Sequence, residues 1–538
     1  MRQIAGLTFS LAAVWAQTAQ PQQPPVIFKS TTRLVQVNVV VHDHKGEPVS
    51  DLKKEDFTVS EKGKPQQIAF FSMESSDKLA SQPTKLPPNI FSNRLQERTG
   101  APASVTVLLL DSLNTKWEDQ TYSRKQVVKF LEQVQPQDHI AIYTLGRGLK
   151  ILHDYTTDAS ALLKKLADYK GQVIPDLEAS ERNAGGGADG LDLGPVFGGG
   201  GIMEADFYMR NRVMNTLKAL EVIANHLSSV QGRKNLIWVS GGFPLMIGFD
   251  EIPEIGAPMS NMNKETFTDE MSGTIRALNN AGVSVYPVDA RGLMVMPGFS
   301  AENRTIRKQP PLKPIVPHLD TMKELADRTG GRAFYNTNDI KNAVRQAIDD
   351  SKVTYTIGYY PEDTAQDGKF RQIKVKVDRA GTNVRYRKGY FAMRPASQDE
   401  NSRKAEMRSA VWSPLDSTAL PLNARVDILQ KPSPDTVHVF AQIDPSTITL
   451  EQKDDRWVGK LDFVFVQKDD RDNMVGQDFA DTINMNLTKD RYLQMQQKGL
   501  IYERQLSMAA RASTLRIVAR DTASGSIGSL TVPIARAN

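Results

Sequence analysis

Residues 105–115 read Val-Thr-Val-Leu-Leu-Leu-Asp-Ser-Leu-Asn-Thr, and this stretch decides the fold. An unbroken apolar run of this length is typical of a strand that is buried on both faces, as in the middle of a parallel sheet. The run ends at Asp111, so the strand carries this acidic residue to the carboxyl edge of the sheet. Because open α/β sheets bind their ligands at that edge, Asp111 is the first candidate site residue.

Helix and strand patterns alternate after this stretch. The helical segments have apolar residues at a spacing of three and four, whereas the strands are short apolar runs. Helices are predicted at 120–135, 159–169, 203–230, 266–281, 322–328 and 339–351, and strands at 140–145, 235–239, 283–289 and 332–335. This alternation predicts a central doubly wound, mostly parallel sheet of the Rossmann-like class over residues 104–352.

Period-two patterns, typical of antiparallel strands, flank the α/β pattern on both sides. We predict an N-terminal β-module over 26–75, a β extension of the α/β domain over 353–393 and a C-terminal β-sandwich over 411–538. The polar stretch 76–103 is predicted to be a linker, and 394–410 a connector. The chain is therefore predicted to be a multidomain protein with one α/β region and flanking all-β regions.

A glycine-rich insertion at 171–201 interrupts the α/β pattern. Its composition predicts a flexible surface loop without regular structure. It contains no G-x-x-x-x-G-K-[ST] motif and no G-x-G-x-x-G turn directly after a strand, so a phosphate site is not expected. A long loop beside the predicted ligand edge is suited to act as a lid or a specificity loop.

The N-terminus has the pattern of an export signal. Arg2 supplies a positive charge, residues 4–15 are mostly apolar, and small residues near Ala16 suit cleavage. We therefore predict a signal peptide at 1–16, a linker at 17–25 and an exported protein, periplasmic or extracellular. The apolar segment is too short to span a bilayer, and no later stretch is long enough, so no transmembrane segment is expected.

Composition excludes several classes of function. The 538 residues contain no cysteine, which excludes disulfides, thiolate metal sites and a cysteine nucleophile. The formal charge is +5, and acidic and basic residues are interleaved throughout. Without a basic stripe or a long Lys/Arg block, no nucleic-acid partner is expected.

Several motifs resemble the von Willebrand factor A domain, and more closely the bacterial VWFA-related family first defined in acidobacterial proteins. They are Val-Leu-Leu-Leu-Asp-Ser-Leu-Asn-Thr (107–115), Gly-Arg-Lys-Asn-Leu-Ile-Trp-Val-Ser-Gly-Gly-Phe-Pro (232–244), Val-Tyr-Pro-Val-Asp-Ala-Arg-Gly-Leu (285–293), Leu-Ala-Asp-Arg-Thr-Gly-Gly-Arg-Ala-Phe (325–334) and Arg-Lys-Gly-Tyr-Phe-Ala (387–392), with Leu-Lys-Lys-Glu-Asp-Phe-Thr-Val (52–59) upstream. The resemblance covers about residues 30–393 and excludes the C-terminal region.

The resemblance implies a metal-ion-dependent adhesion site, which family members build from D-x-S-x-S, a threonine and a further aspartate around Mg²⁺. Asp111 matches the first ligand and Thr115 keeps a hydroxyl, but Leu113 replaces the first serine and Ser240 stands where an aspartate is typical. Because a hard ion needs oxygen ligands and charge, we predict a degenerate site with no firm cofactor and at most weak Mg²⁺ binding. The candidate metal ligands are Asp111, Thr115 and Ser240, and Asn114 or Asp289 would compensate for the missing ones.

Three functions remain open from the sequence. The first is a non-enzymatic binding or adhesion module that engages another protein through the Asp111 edge. The second is a hydrolase with Ser240 as nucleophile, although the residues around Ser240 are not G-x-S-x-G and no histidine is placed beside it by sequence. The third is a purely structural envelope scaffold whose sheet edge is covered. Of these, the binding module is the prediction.

Overall fold

A computed structural model of the chain describes residues 34–75, 86–87, 89–99, 104–182, 200–230, 232–242, 246–247, 265–293, 317–365, 367–392, 399–429 and 436–534. The predicted signal peptide (1–16) and the linker that follows it (17–25) lie outside the described residues. Within the described part of the chain, no helix is both long and apolar enough to cross a lipid bilayer.

The strands and helices are numbered in chain order. The strands are β1 (Val35–His42), β2 (Phe57–Glu61), β3 (Lys64–Gln66), β4 (Ile68–Ser75), β5 (Ile90–Ser92), β6 (Ser104–Asp111), β7 (Ile140–Leu145), β8 (Leu149–Thr156), β9 (Arg233–Ser240), β10 (Met246–Ile247), β11 (Glu265–Thr266), β12 (Val283–Asp289), β13 (Val353–Tyr359), β14 (Phe370–Val377), β15 (Asn383–Arg385), β16 (Gly389–Phe391), β17 (Leu422–Leu429), β18 (Thr436–Ile443), β19 (Glu451–Lys453), β20 (Arg456–Lys468), β21 (Phe479–Leu487), β22 (Leu500–Ser507), β23 (Thr514–Asp521) and β24 (Ile527–Pro533). The helices are α1 (Leu95–Thr99), α2 (Trp117–Leu131), α3 (Ala159–Asp168), α4 (Pro175–Arg182), α5 (Gly200–Leu227), α6 (Thr268–Asn280), α7 (Pro317–Thr329), α8 (Ile340–Asp349), α9 (Glu400–Trp412) and α10 (Lys489–Lys498).

The central sheet has the strand order β12-β9-β6-β7-β8. The first four strands pair in parallel, and β8 pairs with β7 in the antiparallel sense. The sheet is thus mostly parallel, as predicted, with the strand that ends at Asp111 in the middle. Strand β8 was missed because all its side chains except that of Tyr155 are half-buried or exposed, and they form no apolar run. The strand predicted at 332–335 is reduced to a single parallel bridge between Phe334 and Val288.

Two separate apolar cores explain why β6 is apolar at successive positions. Val107 and Leu109 face a core that includes the apolar residues of α5 and α6. Leu108 and Leu110 face a second core, which contains residues of α2 and α8. Because neighbouring side chains of a strand point to opposite faces, both faces of β6 must be apolar when helices cover both sides of the sheet.

The segments predicted as a separate N-terminal module (26–75) and a β extension (353–393) instead form one β unit. Strand β1 pairs with β13 and β15, β4 pairs with β13, and β2 pairs with β14. Apolar residues of both segments share one core. The sequence shows which residues alternate within each strand, but pairing between strands about 300 residues apart leaves no local pattern.

Part of the predicted linker at 76–103 belongs to the C-terminal unit. Strand β5 pairs with β17, at the edge of a C-terminal sheet. The side chain of Asn93, which is fully buried, donates to the backbone oxygens of Ser417 (2.8 Å) and Leu420 (3.1 Å) and accepts from Leu422 N (2.8 Å). The segment around β5 is therefore a structural part of the C-terminal unit rather than a linker.

The C-terminal unit has two antiparallel sheets that share one apolar core. One has the order β22-β18-β17-β5, and the other has the order β19-β20-β23-β24 with β21 also paired to β20. The region predicted to be a β-sandwich also contains helix α10, which was not predicted because its polar sequence gives only a weak apolar stripe. The connector predicted at 394–410 contains most of helix α9.

The glycine-rich insertion at 171–201 is more regular than predicted. Residues Pro175–Arg182 form helix α4, and helix α5 already begins at Gly200. The buried side chains of Ile174 and Leu177 join the core of the α/β unit, which gives the helix an anchor. Residues 183–199, which carry most of the glycines, lie outside the described residues.

Both β units contact the α/β unit near the amino ends of its parallel strands. Asp350, just after α8, pairs with Arg385 of the β unit, and Arg387 donates to the backbone oxygen of Asn279 at the end of α6 (3.2 Å). From the C-terminal unit, Thr418 N donates to the backbone oxygen of Asn225 near the end of α5 (3.0 Å). These contacts lie at the end of the sheet opposite to Asp111.

Candidate functional site at the carboxyl edge of the central sheet

The Asp111 carboxylate is the centre of a buried polar cluster. Oδ2 accepts hydrogen bonds from Asn114 Nδ2 (2.8 Å), Trp238 Nε1 (2.9 Å) and Ser240 Oγ (2.7 Å), and Oδ1 accepts one from Asn114 N (3.1 Å). Asp111 is only 2% exposed. Burial raises the pKa of its carboxyl group, and the hydrogen bonds from Asn114, Ser240 and Trp238 oppose that rise.

The guanidinium group of Arg212 on helix α5 is linked to this carboxylate through the side-chain amide of Asn114. Arg212 Nη2 donates to Asn114 Oδ1 (3.1 Å), and Asn114 Nδ2 donates both to Asp111 and to Thr216 Oγ1 (2.7 Å). Arg212 and Thr216 are buried and lie one helical turn apart, so they form a polar strip beside the apolar face of α5. The Asn114 amide thus connects a buried guanidinium to the buried carboxylate.

The loop after β9 packs directly on the loop after β6. Gly241 N donates to Thr115 Oγ1 (3.0 Å), and Gly242 N donates to Ser240 Oγ (2.9 Å). A Cβ atom at Gly241 would lie 2.4 Å from the backbone oxygen of Asn114, so only glycine permits this approach. The Ser-Gly-Gly sequence is therefore needed to bring Ser240 and Thr115 to the same edge.

Residues 169–174, which we call the strap, cross this edge after helix α3. Gln120 clamps the strap, because its Nε2 donates to the backbone oxygens of Thr115 (2.7 Å) and Gln172 (2.9 Å) while its Oε1 accepts from Gln172 N (3.1 Å). The Tyr169 hydroxyl is 2.8 Å from Ser112 Oγ. Between strap and sheet is a cavity of ≈ 20 Å³, lined partly by Asp111 and Thr115. That volume suits one water molecule and not a small-molecule substrate.

Asp289 reaches the same edge but does not join the cluster around Asp111. Its strand is in register with β9, so that Asp289 lies opposite Ser240. Its carboxylate, however, forms a bidentate ion pair with Arg291, with both N–O distances 2.9 Å, and accepts from Arg291 N at 3.0 Å. The arrangement neutralises Asp289 locally.

The residues present do not fit a resident divalent cation. Both oxygens of Asp111 already accept hydrogen bonds, Leu113 packs into the apolar core, and Asp289 is paired with Arg291. Among the described residues, no three His, Asp or Glu side chains form a group that is able to hold a metal ion. Mg²⁺ needs about six oxygen ligands at roughly 2.1 Å, and this hydrogen-bonded arrangement does not supply them.

Ser240 is placed as a buried hydrogen-bonding residue. Its side chain is fully buried, donates to Asp111 and accepts from Gly242 N. Three histidines, His153, His226 and His318, are the candidate bases for a serine nucleophile. His153 contacts the backbone oxygen of Asp154 through Nδ1, and His226 contacts that of Asp416. The third, His318, has its side chain outside the described residues. No described histidine is hydrogen-bonded to Ser240.

The structure thus brings Asp111, Asn114 and Ser240 into direct contact, with Thr115 one hydrogen bond away. Sequence reasoning missed the members contributed by other elements: Trp238, Arg212, Thr216 and Gln120. A signal for two of them existed, because Arg212 and Thr216 are spaced i, i+4 beside an apolar helical stripe. Trp238 gave no such signal, since a tryptophan within an apolar strand suggests a core residue.

Comparisons with known proteins give only distant likenesses. No family model matches the chain, and no curated protein matches it in sequence. The narrower bacterial family therefore remains a prediction from motifs.

Among solved structures, the chain is similar to domains that include named von Willebrand A domains. They are the vWF domain of the type V pili tip protein Mfa5 from Porphyromonas gingivalis (10% identity, 45% of this chain and 93% of that chain, TM-score 0.25), the VWA domain of SpRpn10 (11%, 45% and 95%, 0.21) and the conserved hypothetical protein BatB from Bacteroides thetaiotaomicron (13%, 46% and 96%, 0.22). At such TM-scores the likeness carries no argument about function, which rests on the residues of this chain.

Proposed function

We propose that this protein is an exported, non-enzymatic module that binds another protein through the carboxyl edge of its central sheet, without a resident metal ion. The observation that carries the proposal is a set of exposed apolar side chains around this edge, which we call the edge patch. Its members and exposed fractions are Trp117 (43%), Val173 (57%), Phe207 (58%) and Leu293 (56%). Exposed apolar groups of this size are characteristic of surfaces that bind a partner.

The positions of these residues follow from the fold. Trp117 begins α2 directly after the Asp111 loop, Val173 belongs to the strap, and Leu293 follows β12. Phe207 precedes Arg212 by five residues on α5, which places it beyond the edge at a helical rise of about 1.5 Å per residue. The four residues of the edge patch thus belong to segments at the carboxyl end of the sheet, where the polar cluster joins the loops.

Charge around the edge patch defines the partner's chemistry. Lys116, Arg147, Lys150 and Lys170 are exposed around it, and they outnumber the exposed acids Glu118 and Asp168. A cationic rim favours a partner with an acidic surface and steers its approach. The contacts with the two β units at the opposite end of the sheet support a role for those units in presenting the edge rather than covering it.

A hydrolase centred on Ser240 is the weaker candidate. The serine is buried, its hydroxyl donates to a carboxylate, and the adjoining cavity has room for only one water molecule. A nucleophilic serine needs a base that takes its proton and a site for the acyl group beside it. The buried Asp111–Ser240 pair is better suited to holding two loops together.

The test is affinity capture from an envelope extract of the source organism. We expect wild type to capture a partner and the double variant Trp117→Ala, Leu293→Ser to lose it, both in EDTA and in Mg²⁺. Ile501→Ser is the matched control, because Ile501 is equally exposed (58%) but lies on β22 of the C-terminal unit. Equal capture by the double variant and the control would show that the edge patch is not the binding surface. Loss of capture in EDTA would show that binding requires a metal ion.

A further inference from the structure

A second candidate site lies in a crevice at the opposite end of the α/β unit. The crevice has a volume of ≈ 1230 Å³ and is bordered by all three units. One wall is the outward face of β1, β4 and β13, the second is the amino end of the central sheet, and the third is formed by loops of the C-terminal unit. Serine, threonine, asparagine and glutamine side chains are frequent along it, so the walls offer many hydrogen-bonding groups to a ligand.

Lys234 borders this crevice as a buried cation with few partners. Its side chain is 7% exposed, and its Nζ donates to the backbone oxygen of Val230 at 2.5 Å. An ammonium group has three N–H donors, so this bond satisfies only one of them. Lys234 forms no salt bridge within the described part of the chain.

Arg387 is a second cation in the same wall. It donates to the backbone oxygens of Asn279 (3.2 Å) and Gln36 (2.6 Å), both of which border the crevice. Its Nε is buried and has no hydrogen-bond partner among the described residues. Burial lowers the pKa of Arg387 to about 10, because the neighbouring groups do not compensate for the loss of water.

Three buried arginines of this protein have carboxylate partners, which Lys234 and Arg387 lack within the described residues. Arg516 pairs with Asp416, and Arg520 pairs with Glu406 at 2.7 Å. Arg371 is paired with aspartates at 3.0 and 3.2 Å. Two carboxylates also border the crevice: Asp363 pairs with Lys62 and Arg371, and the charge of Glu74 opposes the lowering of the Lys234 pKa by burial only in part. Because buried cations are costly unless they are paired, the wall that holds Lys234 and the half-buried Arg387 keeps donors that an anion would satisfy.

Asn38 adds a neutral donor beside Lys234. Its Oδ1 accepts from Thr356 Oγ1 at 3.2 Å, which directs its Nδ2 elsewhere. A Cβ atom placed on Gly282 would lie 3.6 Å from Lys234 Nζ and 3.8 Å from Asn38 Nδ2, so the two donors border the same point. The two backbone acceptors of Arg387 lie close in sequence to these residues, because Gln36 precedes Asn38 by two residues and Asn279 precedes Gly282 by three. Arg387 therefore belongs to the same wall as Lys234 and Asn38.

We propose that this wall binds a carboxylate side chain of an acidic peptide lying in the crevice, with Lys234, Arg387 and Asn38 as the donors. A peptide fits because the crevice is larger than the usual small-molecule pocket of about 300–1,000 Å³. The hydroxyl and carboxamide groups along the walls match the donors and acceptors of a peptide backbone. The site is independent of the proposed edge interaction, since the two lie at opposite ends of the parallel strands.

Binding of a labelled peptide to the full chain tests the proposal. The probe is acetyl-Ser-Glu-Ser-Glu-Ser-amide, and the comparison peptide carries glutamine in place of both glutamates. We expect the acidic peptide to bind about tenfold more tightly than the neutral one, and Lys234→Met to remove most of that difference. Lys64→Met, at an exposed position of β3, is the matched control and is expected to bind like wild type.

Asn38→Ala keeps the test decisive if Lys234→Met does not fold, because Asn38 is only half-buried and its removal leaves the core intact. We expect it to weaken binding of the acidic peptide as well, with an unchanged circular dichroism spectrum. Equal affinity for the acidic and neutral peptides, or wild-type affinity in Asn38→Ala and in folded Lys234→Met, would overturn the proposal. Trp117→Ala is expected to leave the peptide affinity unchanged, which separates this site from the edge patch.

Discussion

The hydroxyl of Ser240 donates a 2.7 Å hydrogen bond to the carboxylate of Asp111, 129 residues earlier in the chain. Both side chains are buried, and they belong to adjacent parallel strands of the central sheet. The bond joins the ends of β6 and β9, where the loops begin. The resemblance to von Willebrand A domains implies that these loops would hold a metal ion. Here a serine hydroxyl, an indole N–H and an amide satisfy the carboxylate instead.

The first prediction concerns the stability contributed by this cluster. Asp111→Ala leaves the donors of Trp238, Asn114 and Ser240 without their acceptor in a buried place, so we expect the free energy of unfolding to fall by about 3 kcal/mol. Ser240→Ala removes one of those bonds and should lower it by about 1–2 kcal/mol. Urea denaturation measures both. Asp470→Ala, at an exposed turn, is the control, and a loss as large in the control would show that the cluster is not special.

The second prediction concerns divalent ions. Because the oxygens of Asp111 are taken by hydrogen bonds, we expect calorimetric titration with Mg²⁺ or Mn²⁺ to give the same weak heats in wild type and in Asp111→Asn. The thermal midpoint of wild type should be unchanged by EDTA. Tight binding that disappears in Asp111→Asn would contradict the proposed metal independence.

The third prediction concerns the strap at 169–174. Gln120 holds it through two hydrogen bonds to the Gln172 backbone, so Gln120→Ala should let the strap open more often while the sheet stays folded. We expect hydrogen exchange at Gln172 N to rise about tenfold, which corresponds to about 1.4 kcal/mol. Gln133→Ala, exposed just beyond α2, should leave that exchange unchanged. Unchanged exchange in Gln120→Ala would show that other contacts hold the strap.

The fourth prediction concerns the pH dependence of stability from Lys234. Burial lowers its pKa to about 8, and the charge of Glu74 opposes this shift only in part. Between this pKa and the ordinary value of about 10.4, the unfolded chain binds more protons at this position than the folded chain, so stability rises with pH.

The measurement compares wild type with Lys234→Met by urea denaturation across this range. We expect the free energy of unfolding of wild type, relative to the variant, to increase by about 2 kcal/mol from about pH 8 to about pH 10. Lys64→Met should show no such trend relative to wild type, because Lys64 is exposed. A flat difference for Lys234→Met would mean that its ammonium group is not destabilised by burial.

The fifth prediction concerns Asn93, which lies in the segment that the sequence suggested was a linker. Its side chain makes three hydrogen bonds to the backbone around residues 417–422, and it is 1% exposed. Asn93→Ala should therefore lower the free energy of unfolding by about 2–4 kcal/mol, and Asn93→Asp should fail to rescue it because it loses two donors. Asn484→Ala, at an exposed position of β21, is the control. If the Asn93 variants had the same free energy of unfolding as wild type, the segment would act only as a linker.

The sequence by itself determined the central sheet and the place of Asp111 on it. Burial on both faces requires an apolar run in β6, and helices that cover such a sheet require the spacing seen in α2, α5, α6 and α8. These are local patterns, so they can be recognised without knowing which segments meet. The resemblance to von Willebrand A domains, rather than a local pattern, identified Leu113 and Ser240 as departures from a metal site.

Only the tertiary structure decided which distant segments complete each unit and each site. Strand β1 pairs with β13, and β5 with β17, because their edges meet in the folded chain, and nothing in either strand encodes its partner. Likewise Trp238 and Arg212 acquire their roles only when β9 and α5 bring an indole N–H and a guanidinium to the Asp111 loop. A polar group's role depends on which partners reach it after water has been excluded, and that is a property of the packed chain rather than of its local sequence.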